Sequence, residues 1–260
     1  MDTAGPETSV VAALLAAQHA PQVRLLLDYD GTLVPLARTP ERAAPDRHLL
    51  ALLADVTAVP GLRVDIVSGR PRETLETWLG ALPVSLWAEH GFWHRPSPGD
   101  EWRPAATLNS AWMTEVRQIL LDFTARTPGA MVEFKSASLA WHYRGAQREF
   151  GSRQAHALRM RLGEALSNQP LEVLEGKKVI EVRPRGVSKA LVAEDIARTS
   201  VRDAAVIAIG DDRTDEDLFR ALPASSVTVA VGRRLMCARF DVEDCRAVRS
   251  LLRLLLHAGT

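Results

Sequence analysis

This chain has no surplus charge of either sign: 32 Lys and Arg balance 32 Asp and Glu. Its basic residues are scattered, so neither nucleic acid nor an anionic membrane has an electrostatic reason to be a partner. Cysteine is scarce. Cys237 and Cys245 lack a CxxC spacing and a nearby histidine, which excludes a disulfide framework and a zinc site and makes them buried thiols. No apolar run reaches the length of a membrane span. The run VVAALLAA at 10–17 follows Asp2 and Glu7 with no Lys or Arg before it, and reads as a short amphipathic helix, not a signal peptide. The cytoplasm is the default compartment, and a monomer is consistent with the sequence.

What is present is an ordinary globular composition, 47% apolar and 25% charged over 260 residues, long enough for two domains. Short apolar runs at 23–28, 62–68, 84–89, 204–210 and 226–231 predict buried strands, several ending in a polar or glycine-containing turn. Helical patterns lie between them at 46–59, 72–82, 188–199 and 215–222. That alternation predicts an α/β fold: a parallel sheet with helices on both faces and ligands at the carboxyl ends of its strands. Asp28, Ser68, Glu89 and Asp211 fall at those ends.

The middle of the chain breaks the pattern. After a loop at 95–104 come a helix (109–125), two strand-like runs, a second helix (147–166) and two more runs, LEVLEG and KKVIEVRP. Polar and apolar residues alternate in these runs, as in antiparallel strands with one solvated face. The expectation is an inserted α+β domain of helix, hairpin, helix and hairpin at 106–182. Residues 1–105 and 183–260 then form one core, with hinges near 104–108 and 183–187.

LLLDYDGTL at 25–33 ends a buried strand with two carboxylates two residues apart, hence on one side. Alone, this fragment could be an Asp-Gly turn. Ser68 in DIVSGR and Lys189 in RPRGVSK are each weak signals, and the acidic run DDRTDED at 211–217 could simply complement a helix dipole, with Thr214 or Asp215 as cap. All four at successive strand ends are harder to explain by accident.

The set and its order resemble the haloacid-dehalogenase superfamily of phosphotransferases, which implies a Rossmann-like core with an inserted cap domain. In that frame each residue has a physical task. Clustered acids suit Mg²⁺, a hard cation that shields a carboxylate nucleophile from a phosphate dianion. Lys189 and the Ser68 hydroxyl would bind the transferring oxygens. Asp28 would form an aspartyl-phosphate, while Asp30 protonates the departing oxygen and then deprotonates water. Tyr29 is a spacer facing away and Gly31 a bend.

LLLDYDGTL, DIVSGR, AEHGFW, VEFKSASLAWHYR, KKVIEVRPRGVSK and IGDDRTDEDLF together resemble the trehalose-6-phosphate phosphatases, over about residues 22–232. The resemblance implies hydrolysis of trehalose 6-phosphate in trehalose biosynthesis, functionally coupled to a trehalose-6-phosphate synthase. It implies Asp28 as nucleophile and Asp30 as acid/base; Ser68, Gly69, Arg70 and Lys189 as the phosphate site; and Asp28, the Asp30 carbonyl and Asp211 as metal ligands, supported by Asp212 and Asp215. Glu133, Lys135, His142, Arg144, Glu181 and Arg183 match positions used for the sugar or the cap surface. Their spacing puts each consecutive pair on one sheet face. The pattern alone fits a salt-bridged solvated face as well as a polyhydroxylated ligand; the resemblance favours the sugar.

Trp141 should face the cap interior. Ala190 departs from the glycine expected after the lysine, and Val179 and Ile180 stand where some relatives carry polar sugar contacts. His90, in the AEHG loop, reads foremost as structural. The C-terminal pattern after Asp244 reads as core packing. Two rivals stand beside the main reading: a phosphatase for another sugar or pseudo-disaccharide phosphate, and a non-catalytic sugar-phosphate-binding protein.

Overall fold

The computed structural model describes residues 6–257, apart from 38, 106, 108 and 109. The expected hinge at 104–108 and the first residue of the helix expected at 109–125 therefore lie partly outside the described residues. Two compact units form, one from Met1–Ala105 with Ser188–Thr260 and the other from Ala106–Val187.

In the first unit, helix α1 (Pro6–Ala17) leads into β1 (Val23–Asp28), and α2 (Arg47–Thr57), β2 (Leu62–Val67), α3 (Arg72–Leu79) and β3 (Ser85–Ala88) follow. Two short strands, β4 (Trp93–Arg95) and β5 (Arg103–Pro104), end this half. The second unit runs α4 (Met113–Ala125), β6 (Met131–Phe134), β7 (Leu139–His142), α5 (Arg148–Ala165), β8 (Leu171–Gly176) and β9 (Val179–Pro184). The chain then returns to the first unit through α6 (Ala190–Thr199), β10 (Ala205–Gly210), α7 (Arg213–Ala221), β11 (Val227–Val231), β12 (Phe240–Val242) and α8 (Cys245–His257).

The large sheet has the order β12-β11-β10-β1-β2-β3-β4-β5. Strands β12 to β3 are parallel, and β4 and β5 add on antiparallel. Strand β1 is buried along its whole length, and its alternation sorts the two layers. Leu25 and Leu27 enter a core with Val10, Leu14, Leu49, Leu53 and Leu252, from α1, α2 and α8. Leu26 enters the opposite core with Val192, Ile196, Leu218 and Phe219, from α6 and α7. Each such leucine contributes about 1.5–3 kcal/mol by leaving water. Because β2 and β10 flank β1 on opposite sides, the chain's order reverses at β1. The carboxyl end of β1 is thus the switch point where an open α/β sheet leaves a crevice.

The segment expected as a loop at 95–104 is partly strand. Its pieces are two and three residues long and carry Arg and Pro, so no apolar alternation announces them. They are held from the side: Arg95 is buried, donates to Glu76 Oε1 at 2.6 Å, and lies 5.9 Å from the Trp102 ring centroid.

The second unit is a four-stranded sheet, β6-β7-β9-β8, with antiparallel pairing throughout. Leu139, Trp141, Ile180 and Val182 pack against Val116, Leu120, Leu158 and Leu162 of α4 and α5. Trp141 is fully buried on this helix side, and its indole N–H donates to Thr124 Oγ1 at 3.0 Å.

Candidate active site

Asp28 closes β1 on the same face as Leu26, which points its carboxylate toward α6 and α7. Lys189, at the start of α6, answers from that side. Its Nζ lies 2.6 Å from Asp28 Oδ1 and 2.7 Å from Asp215 Oδ1, and the lysine side chain is 1% exposed. Asp215 is held from behind as well: Oδ2 accepts the backbone N–H groups of Asp211 and Asp212 at 3.0 and 3.1 Å. Asp212, not Thr214 or Asp215, is the N-cap of α7. Its Oδ1 accepts from Thr214 N at 2.8 Å, and Asp215 closes a reciprocal capping box. The helix therefore begins two residues earlier than the sequence suggested. Gly31 has φ +88°, and a Cβ there would run into the Asp211 carboxylate. Only glycine lets the turn after β1 approach that acid so closely.

Four carboxylates, Asp28, Asp211, Asp212 and Asp215, thus surround one ammonium. Burial is the largest influence on Asp28, raising its pKa to about 7; Lys189 opposes this, and Asp211 and Asp212 add to it. Asp211 is likewise raised to about 7, by burial first and then by Asp212 and Asp215. Burial also pushes Asp215 well up against the pull of Lys189. For Asp212 burial acts upward too, but the Lys189 charge and the Thr214 hydrogen bonds prevail and hold it low. Lys189 is raised despite burial by Asp215 and Asp28. The cluster is short of positive charge.

That deficit fits a cation. One carboxylate oxygen each from Asp28, Asp211 and Asp215 lies within 4.8 Å of the others. Asp28 Oδ2 is buried with no hydrogen-bond partner among the described residues, an expensive state for a carboxylate oxygen unless something else binds it. An all-oxygen donor set of this kind suits a hard divalent ion. Asp215 is the least available ligand, because both of its oxygens already accept hydrogen bonds.

The segment after β2 forms the second wall. Ser68 is fully buried and its Oγ accepts the Arg70 N–H at 3.1 Å. A single turn at Glu89–Gly91 clamps this segment: Glu89 N donates to Arg70 O at 3.0 Å and His90 N to Ser68 O at 2.9 Å. Glu89 and His90 both have positive φ, 49° and 59°. Gly69 leaves room for the His90 ring; a Cβ there would lie 2.5 Å from its Cε1. The Arg70 guanidinium grips Asp30, with Nε 2.7 Å from Oδ2 and a terminal nitrogen 2.6 Å from Oδ1. Neither this grip nor the His90 packing was legible in the sequence, since each joins segments whose spacing carries no pattern.

In the second unit, register places Glu133 beside Ala140 and Ala140 beside Glu181, on the face opposite Trp141. His142 Nε2 lies 2.8 Å from Glu133 Oε2, and Lys135 Nζ 3.5 Å from Glu181 Oε1. Ser138 Oγ, which sequence reading passed over, donates to Glu181 Oε1 at 2.6 Å. Arg183 donates to Glu172 Oε1 at 2.6 Å. Arg144 is exposed and donates to the Lys177 carbonyl at 3.2 Å, apart from the other five.

The chain is similar in sequence and fold to known proteins. The trehalose-phosphatase family profile matches residues 26–238. A bifunctional trehalose-6-phosphate synthase/phosphatase of Thermoproteus tenax is 44% identical over 228 residues, covering 88% of this chain and 31% of its own. A trehalose-phosphatase of Schizosaccharomyces pombe is 34% identical over 255 residues, covering 92% and 31%. This chain therefore spans under a third of the length of either. The solved C-terminal domain of a C. albicans trehalose-6-phosphate phosphatase superposes with a TM-score of 0.87 at 29% identity, over 96% of each chain. With the profile matching most of the chain, from within β1 to just short of β12, and with Asp28, Lys189 and Asp211 gathered at the switch point, the chain belongs to the trehalose-phosphatase family.

Proposed function

We propose that this chain is a Mg²⁺-dependent phosphatase that hydrolyses trehalose 6-phosphate to trehalose and phosphate through an aspartyl-phosphate. The observation that carries this reading is Asp28: a buried carboxylate at the switch point, one oxygen paired with Lys189 and the other without a partner among the described residues. The Asp28 carboxylate is the nucleophile, one of its oxygens attacking phosphorus while the other would face the cation. As it bonds to phosphorus, the bond from phosphorus to the sugar oxygen breaks, and Asp30 gives its proton to that oxygen. Asp30 then takes a proton from water as the water attacks phosphorus, releasing inorganic phosphate and restoring the Asp28 carboxylate.

Lys189, the Ser68 hydroxyl and the Ser68–Arg70 backbone hold the transferring oxygens, supplying fixed dipoles and charge where the transition state needs them. Asp28, the Asp30 carbonyl and Asp211 would hold the Mg²⁺ ion, whose charge, when bound, offsets repulsion between nucleophile and phosphate. Asp212 and Asp215 support that shell through the α7 cap. Sugar recognition is assigned to the charged face of the second unit, through Glu133, Lys135, His142, Arg144, Glu181 and Arg183, which offer donors and acceptors to hydroxyl groups.

The substrate would come from a trehalose-6-phosphate synthase, an activity that the name of the Thermoproteus tenax relative joins to the phosphatase. Among the described residues no helix is long and apolar enough to cross a membrane. The cytoplasm is the proposed compartment, in keeping with two cysteines that remain free thiols.

Asp28→Asn tests the nucleophile. The variant is expected to keep the wild-type circular dichroism spectrum and to lose turnover by at least about 10³-fold. The wild type, quenched in acid during turnover, should carry covalent phosphate on the Asp28 peptide. Label on another residue, or substantial turnover by the variant, would refute the assignment.

A further inference from the structure

Tyr29 lies between the two carboxylates of the opening motif, on the other face of the chain. It is fully buried, and its hydroxyl donates to the Ala43 carbonyl at 2.7 Å. Its ring centroid is 5.5 Å from that of Trp78, at an interplanar angle of 35°. The Arg70 guanidinium carbon sits 5.1 Å from the centroid of the Trp78 ring, and the guanidinium binds both oxygens of Asp30. A chain of contacts thus leaves the backbone at Tyr29, passes through α3, and returns to the carboxylate one residue later. Arg70 is fixed from its other end as well, because its carbonyl accepts the Glu89 N–H.

We propose that Arg70 is a positioning residue for Asp30: its fork, braced on Trp78 and Tyr29, aims the carboxylate at the oxygen leaving phosphorus. The inference rests on the reading of Asp30 as the proton carrier. A fork suits that task. A planar guanidinium holding both oxygens fixes the plane of the carboxyl as well as its distance, which a lysine's single ammonium cannot do. When one oxygen carries the proton to be transferred, the second N–H still holds the other oxygen, so the aim survives both halves of the cycle. The aromatic face behind the guanidinium stabilises the charge without competing for its N–H groups. Proton transfer is steeply sensitive to such placement, and a displacement of about 1 Å can cost 10²-fold in rate.

The test compares two esters that differ in their need for a proton. The sugar oxygen of trehalose 6-phosphate leaves as a poor alkoxide; the phenolate of p-nitrophenyl phosphate leaves without protonation. Both are read as kcat/KM, which reports only on steps up to the first phosphoryl transfer. Arg70→Ala should lower kcat/KM for trehalose 6-phosphate by roughly 10²-fold more than it lowers that for the aryl ester. Asp30→Asn should give the same split, and the double variant should lose no more than Asp30→Asn alone, because the two residues act as one unit. Arg70→Lys should recover part of the loss.

Equal losses on both esters, or losses that add in the double variant, would overturn the proposal. Should Arg70→Ala fail to fold, Arg70→Lys and Trp78→Leu carry the same comparison with a smaller split. Wild-type protein inert toward trehalose 6-phosphate would overturn the functional reading, and this proposal with it. Turnover without the split would overturn this proposal alone.

Discussion

In the proposed mechanism, stability and chemistry meet in the one side chain of Lys189. It is 1% exposed and neutralises Asp28 and Asp215 together, so its removal leaves two buried carboxylates facing each other. Breaking a buried charge arrangement by deleting one partner costs about 3–5 kcal/mol. Lys189→Met is therefore expected to abolish phosphate release and also to lower the free energy of unfolding in urea by roughly 3 kcal/mol. A loss of activity with unchanged stability would mean that the carboxylates do not depend on this ammonium in the folded protein. Tyr29 carries a different lesson. Its place between two aspartates reads as a spacer, yet in the fold it is a buried ring under Trp78. A side chain that turns away from a site along the strand can still touch it through another element.

At the scale of elements, the β6–β7 hairpin offers a clean electrostatic test. Burial would raise the Glu133 carboxyl, but the His142 hydrogen bond and the charges of Lys135 and His142 prevail and hold it below the ordinary 4.5. A carboxylate depressed on folding adds stability that is fully present above its unfolded pKa and is lost as pH falls through the folded one. Wild-type protein should therefore exceed Glu133→Gln in stability at pH 6, and the gap should close as pH falls below 4.5 and through the lowered folded value, measured by denaturant unfolding across that range. A difference that persists unchanged to the acid end would assign the effect to packing.

The elements also show why some structure was legible in the sequence and some was not. The five central strands announce themselves as short apolar runs because both faces are buried, and Leu25, Leu26 and Leu27 fill both cores. Strands β4, β5 and β12 are two or three residues long at the ends of the sheet, where hydrogen bonding, not apolar content, defines them. The start of α7 was misplaced by two residues because DDRTDED offers several capping side chains. Only the backbone decides that Asp212 takes the role.

For the whole molecule, alternation of strands and helices sufficed to place the carboxyl ends of β1, β2 and β10 at one edge of a parallel sheet. The meeting of Asp28, Lys189 and Asp211 across 183 residues of chain then follows from topology. Partner choice does not. That Arg70 binds Asp30 depends on where β1, β2 and α3 deliver three side chains, and the spacing of those residues carries no trace of it. The Ser138 contact with Glu181 leaves no trace either: it joins the segment just before β7 to β9, strands that only the sheet order makes neighbours.

The central claim is that this acid cluster hydrolyses trehalose 6-phosphate with a divalent cation in place. Phosphate release from trehalose 6-phosphate, measured with Mg²⁺ and again after chelation, tests it directly, with other sugar phosphates run in parallel. The account predicts turnover that collapses on chelation, returns with added Mg²⁺, and favours trehalose 6-phosphate over the rest of the panel. Turnover indifferent to chelator, or faster on another sugar phosphate, would contradict it.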